Sequence, residues 1–142
     1  MSRRISLRLE SRPEELSRIE AAVEDMAVSE DWPQDFTFRI QLALEELIVN
    51  VINYGHSEEN PEGHEIEVEM RSDEEALTIE IVDDGQPFDP VNDAPKPDID
   101  AGIEDRPIGG LGVFLVQKMM DEMRYRRDGD RNRLTLVKRK GE

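Results

Sequence analysis

The stretch ALEELIVNVINYGH, residues 43–56, reads as a helix built for a core, yet it carries Glu46, Asn50 and Asn53 in its middle. Extended toward the N-terminus, the pattern holds: Ile40, Leu44, Leu47, Ile48 and Val51 recur at three- and four-residue spacing, which predicts a helix from about Gln34 to Tyr54 with one buried stripe. Gly55 is its natural stop. Each helical residue advances by about 100°, so Glu46, Asn50 and Asn53 at i, i+4 and i+7 share a narrow face offset from that stripe. Leu42 and Val49 flank this face, which fits a covered cleft better than open solvent.

Working outward, Ile5, Leu7 and Leu9 alternate with polar residues as in a half-buried strand, and Pro13 opens a second helical pattern. Leu16, Ile19, Ala22, Val23 and Met26 carry that helix to about Ala27, and a turn follows around Asp31 to Pro33. Beyond the polar stretch HSEENPEGHE, the segments IEVEMR and ALTIEIVDD each alternate, predicting a hairpin that turns near Ser72 to Glu75. Five of the 8 prolines and five of the 9 glycines then fall between Gly85 and Gly112, a loop long enough to bind something or to move. A third helix is expected from about Leu111 to Met123, followed by strands at Arg124 to Arg127 and Arg133 to Lys138. The order β-α-α-β-β-loop-α-β-β has too few crossovers for a doubly wound parallel sheet. It predicts an α+β fold, a two-layer α/β sandwich whose mostly antiparallel sheet carries three main helices on one face.

With 142 residues, 37% of them hydrophobic, the chain is expected to form a single domain over residues 1–142. There is no Cys, so neither a disulfide framework nor a thiolate metal site is possible. The N-terminal residues hold no apolar run of signal-peptide length, and no segment approaches a membrane span, so a cytoplasmic protein is expected. A formal net charge of −16 repels nucleic acid and anionic membranes. A basic protein partner is favoured over either, although acidity serves solubility alone in many proteins.

Three motifs carry chemistry. An Asn carbonyl oxygen such as that of Asn50 suits a hard cation like Mg²⁺, and Glu46 one turn earlier can accept a proton. Taken alone, that E-x-x-x-N spacing is weak and is better explained by a solvated helix face. In VDDGQPFDP, a strand ends in Asp83 and Gly85, where a carboxylate can accept from an exocyclic amine and glycine lets a flat ring approach; an ordinary Asp-Gly turn looks the same. In IGGLGVFLVQKMMD, Gly109, Gly110 and Gly112 feed a helix N-terminus, which suits phosphate, or simply allow a sharp turn.

The joint order of the motifs is specific. It resembles the ATP-binding domain shared by gyrase, heat-shock chaperones of the ninety-kilodalton class, mismatch-repair ATPases and histidine kinases. EELIVNVINYGH, VDDGQPFDP, RPIGGLGVFLVQKMMDEMRY and NRLTLVKR look most like the bacterial anti-sigma factor serine kinases. That resemblance implies ATP and Mg²⁺ as cofactors, Asn50 as the Mg²⁺ ligand, Glu46 as catalytic base and Asp83 with Gly85 as reader of adenine. It implies an ATP lid from about Gln86 to Gly112, with Phe88, Arg106, Gly109, Gly110, Leu111 and Gly112 in the nucleotide-binding set and Asn53 placed for water or phosphate. Its implied partners are an anti-sigma factor antagonist, phosphorylated on serine, and a sequestered sigma factor, bound by a homodimer that contacts neither nucleic acid nor membrane. Arg18 matches a partner-contact position, though an Arg on a helix face is more often solvated.

Fold does not fix function, and a non-catalytic, ATP-gated binding module is the alternative from another class. Glu46 favours the enzyme, since a pure binder needs no base. A sensor histidine kinase is disfavoured because His56 and His64 lie in a polar loop rather than on a dimerisation helix.

Overall fold

The computed structural model describes residues 3–54, 65–85, 87, 89 and 110–140. Strand β1 (Arg3–Glu10) leads through a 3₁₀ turn (Pro13–Glu15) into helix α1 (Leu16–Glu30), and helix α2 (Gln34–Tyr54) follows. Then come β2 (Glu65–Ser72), β3 (Ala76–Asp83), helix α3 (Gly110–Met119), β4 (Glu122–Asp128) and β5 (Arg131–Arg139). The five strands form one sheet in the order β1-β2-β3-β5-β4, with every neighbouring pair antiparallel. The expected fold class is therefore the observed one.

Register makes one face of this sheet apolar. Leu7, Val68, Ile81, Leu134 and Tyr125 lie side by side across the five strands, and Ile5, Met70, Ile79, Leu136 and Met123 form the next row. Against them pack Ile19, Val23 and Met26 of α1, Ile40, Leu44, Leu47 and Ile48 of α2, and Val116 of α3, all buried. The opposite face carries cross-strand ion pairs such as Arg4–Glu69 at 2.7 Å and Arg133–Glu80. Most are exposed pairs of the kind worth about 0–1 kcal/mol each, so burial on the helix side holds the layers together.

Two boundaries differ from expectation. The turn at Pro13–Glu15 is 3₁₀, and α1 runs on to Glu30, where Asp31 adopts the left-handed conformation (φ 55°) and Trp32 N–H donates to Ala27 O at 3.0 Å. Helix α3 stops at Met119 rather than Met123. Met123 belongs to β4, opposite Leu136, because Asp121 N–H bonds Val137 O at 2.9 Å and turns the chain into the sheet. Val116, Met119, Met120 and Met123 satisfy helical spacing, but Met123, Tyr125 and Arg127 equally satisfy strand alternation, and the pairing with β5 decides between them.

The end of the sheet where β2 turns into β3 is fastened by a polar cluster. Glu30 Oε1 accepts from Ser72 Oγ, from Lys140 Nζ at 2.9 Å and from Trp32 Nε1 at 3.1 Å, while Lys140 N–H bonds Glu75 O at 2.8 Å. Burial alone pushes the Glu30 carboxyl up, but the Ser72 hydroxyl and the Lys140 ammonium outweigh it and hold the group below its ordinary 4.5. A depressed native pKa stabilises the fold above the unfolded value, and that contribution is lost as pH falls through the native one. Glu30→Gln is expected to lower unfolding free energy by about 1–3 kcal/mol at neutral pH. In urea titrations the gap from wild type should close as the pH is taken below the ordinary carboxylate range; a gap independent of pH would contradict this account.

Candidate functional site

Helix α2 starts beside that fastened end, where Trp32, Phe36 and Arg39 line a cavity of about 550 Å³ together with Asp121 and Lys138. The helix then runs away from it at about 1.5 Å per residue, so Asn50 lies about 16 Å beyond Arg39. That carries Glu46 and Asn50 toward the end where β3 finishes at Asp83 and α3 begins at Gly110. Asn50 is buried, with 6% exposure, and Glu46 is half-buried. Of the polar face legible in the sequence, Glu46 and Asn50 thus sit against protein.

Glu46 packs directly on α3. A Cβ built on Gly112 would stand 2.1 Å from Glu46 Oε2 and 2.9 Å from its Cδ, far inside contact distance. The absent side chain at position 112 is what lets the carboxylate lie beside the first turn of the helix. Four N–H groups of such a turn lack intrahelical acceptors, so a carboxylate and a set of backbone donors converge here.

Asp83 occupies the last residue of β3, on the helix-facing side of the sheet, in one row with Ile66 and Asn132. It is 7% exposed. Its Oδ2 accepts from Gly85 N–H at 3.0 Å and from Asn132 Nδ2 at 3.1 Å, whereas Oδ1 accepts from no described residue. Burial pushes the carboxyl above its ordinary 3.8, the Asn132 and Gly85 donors pull it back in part, and the charge of Asp84 adds to the rise. Asn132 Oδ1 in turn accepts from Tyr125 Oη and from Arg127 Nη1 at 3.2 Å, and Arg127 Nη1 also donates to Gly85 O at 2.8 Å.

Sequence reasoning singled out Asp83 and Gly85 but gave Asn132, Tyr125 and Arg127 no role. The one available signal was parity. Asn132 shares the inward phase of Leu134 and Leu136 on β5, so a polar residue there demands a partner. Of the other candidates, Asn53, Gly110 and Leu111 lie within α2 and α3, and nothing is described of the side chains of Asn53 and Leu111. Phe88, Arg106 and Gly109, with most of the expected lid, lie outside the described residues. Arg18 is exposed, and it donates to Arg8 O at 3.0 Å and lies 3.5 Å from Glu15 Oε2.

Among the described residues no cluster of three or more His, Cys, Asp or Glu side chains forms a metal cage, and no helix is long and apolar enough to cross a membrane. A buried neutral oxygen donor at Asn50, a carboxylate pressed on a helix N-terminus and a strand-end carboxylate with one oxygen that accepts from no described residue are a donor set of the kind that suits a nucleotide with its cation.

Fold and sequence together define the class: the chain belongs to the histidine kinase-like ATPase domain family, whose model matches residues 9–138. Within it, the chain is 28% identical over 127 residues to the serine-protein kinase RsbW of Listeria monocytogenes serovar 1/2a, covering 87% of this chain and 80% of that protein. The Listeria innocua serovar 6a protein of the same name is 27% identical over the same length, with the same coverage. Among solved structures, the RsbU and RsbW domains of a Mycobacterium tuberculosis protein superpose with a TM-score of 0.67 at 14% identity. That match covers 97% of this chain, which spans 32% of the solved one. The Acinetobacter baumannii histidine kinase AdeS superposes with a TM-score of 0.54 at 16% identity, covering 99% of this chain and 70% of that one.

A raised native pKa at Asp83 means that its ionisation opposes folding. The stability associated with it is complete below the unfolded value and is lost as pH rises through the native one. Asp83→Asn keeps an oxygen able to accept from Gly85 and Asn132 while removing the charge. The variant is expected to melt at or above the wild-type temperature at neutral pH, with the advantage shrinking on acidification. A lower melting temperature at neutral pH would contradict the assignment of Asp83 as a strained group.

Proposed function

We propose that the chain is an anti-sigma factor serine-protein kinase, which binds Mg-ATP, phosphorylates a serine of an anti-sigma factor antagonist and otherwise sequesters a sigma factor as a homodimer. The observation that carries this reading is the seating of Glu46 against Gly112. It sets a carboxylate beside the helix N-terminus best suited to hold phosphates. A module that only bound nucleotide would have no use for a base at that point. The named relatives, both serine-protein kinases, support the same reaction class.

In this reading Asp83 Oδ1 accepts from the exocyclic amine of adenine, and Gly85 leaves room for the ring. Asn50 would hold Mg²⁺, which when bound would neutralise phosphate charge. Backbone N–H groups at the start of α3 receive the phosphate oxygens. Glu46 takes the proton of the incoming serine hydroxyl as its oxygen bonds the γ-phosphorus and the bond from that phosphorus to the bridging oxygen breaks, releasing ADP. The residues thereby divide into those that hold the nucleotide and one that moves a proton.

That division is testable. Glu46→Ala is expected to bind Mg-ATP within a few-fold of wild type but to lose phosphotransfer to an antagonist by about 10²-fold or more. Asn50→Ala should lose the Mg²⁺-dependent part of the ATP affinity; undiminished transfer by the first variant, or unchanged Mg²⁺ dependence in the second, would reject the roles. Gly112→Ala supplies an independent check. Its methyl meets the flexible end of Glu46 rather than backbone, so the fold should survive, with a melting temperature near wild type, while transfer falls because the carboxylate is displaced. Full transfer by a folded Gly112→Ala protein would separate Glu46 from the reaction.

A further inference from the structure

The network behind Asp83 has a direction imposed by its donors. Arg127 can only donate, and its Nη1 lies 3.2 Å from Asn132 Oδ1, so the carbonyl end of the Asn132 amide must face Arg127 and its NH₂ end must face Asp83. Tyr125 Oη bonds the same oxygen. Asn132 is 5% exposed and lies on the strand next to β3, so the amide cannot turn over without leaving a donor facing a donor. Arg127 is pinned from its other side by Gly85 O, the carbonyl of the residue whose N–H also bonds Asp83. One carboxylate oxygen, Oδ2, is therefore taken by two donors, and Oδ1 is left as the acceptor to which no described residue donates.

A carboxylate with one oxygen to offer and one with two recognise different purines. Adenine presents a single exocyclic amine, which one acceptor satisfies. Guanine presents a carbonyl at that place and, beside it, a ring N–H and an amine that together call for both oxygens of a carboxylate. We propose that Asn132, oriented by Arg127 and Tyr125, is a positioning residue for base selection: by occupying Asp83 Oδ2 it restricts the carboxylate to one acceptor and so favours ATP over GTP. This rests on the reading of Asp83 as the group that meets the base.

The test uses the full chain and calorimetric titration with ATP and, separately, GTP, in wild type, Asn132→Leu and Arg127→Met. The wild type is expected to prefer ATP. Asn132→Leu frees Oδ2 from its side-chain donor, and the ratio of the two dissociation constants should fall by about tenfold, the effect of about one hydrogen bond to a charged group. Arg127→Met should move the ratio the same way, and it decides the matter if Asn132→Leu does not fold. Equal weakening of both nucleotides, with the wild-type ratio intact, would make Asn132 merely structural and overturn the inference. A wild type that binds ATP and GTP alike would instead overturn the reading of Asp83 on which it rests.

Discussion

The carboxyl of Asp83 is held out of water at the end of β3, the central strand of the sheet, and the arrangement around it follows from that constraint. Burying an ionisable group is costly unless donors meet it, and here the donors come from two directions: the backbone of its own turn at Gly85 and the side chain of Asn132 on β5. Asn132 needs partners for its own oxygen, which brings in Tyr125 and Arg127 of β4. Arg127 in turn ties the β4–β5 hairpin back to Gly85. Three strands and the start of the Asp-Gly turn are thus locked to one another by the need to satisfy one side chain.

The two ends of the sheet show two uses of a carboxylate. At one end Glu30 Oε1 accepts from Ser72, Lys140 and Trp32, and its carboxyl is held below the ordinary range. Three donors on one oxygen, one of them an ammonium, make Glu30 a fastener. At the other end Asp83 keeps one oxygen without a described partner and its carboxyl is pushed up. A ligand that donates to Oδ1 would favour the charged carboxylate that burial disfavours, which is the feature expected of a recognition group. Glu46 adds the second half of the proposed chemistry, and it depends on a side chain that is missing at Gly112.

Much of this was legible in the sequence, for physical reasons. The stripe of Ile40, Leu44, Leu47 and Ile48 and the alternation of β2 and β3 are local patterns, and they gave the element order and the fold class. The polar face of Glu46 and Asn50 was legible because helical spacing places residues four apart side by side. The end of α3 was not, since Met123 fits both the helical spacing of Met119 and Met120 and the strand alternation of Tyr125 and Arg127, and only its pairing with Leu136 decides between them. Nor was the role of Asn132: β5 lies beside β3 across a crossover, so no local pattern brings Asn132 to Asp83. The contact of Glu46 with Gly112 likewise depends on how α2 and α3 are set against each other, a relation that neither helix encodes alone.

In the proposed reading nucleotide is held at the Asp83 end of the sheet, between α2 and α3, and not in the aromatic-lined cavity at the Glu30 end. Amide shift mapping on ¹⁵N-labelled protein during a titration with Mg-ATP tests it without any substitution. The largest shifts are expected on Glu46, Asn50, Asp83, Gly85 and Gly112, with Trp32, Phe36 and Lys138 undisturbed. Shifts centred on Trp32, Phe36 and Lys138, or none at saturating nucleotide, would contradict it.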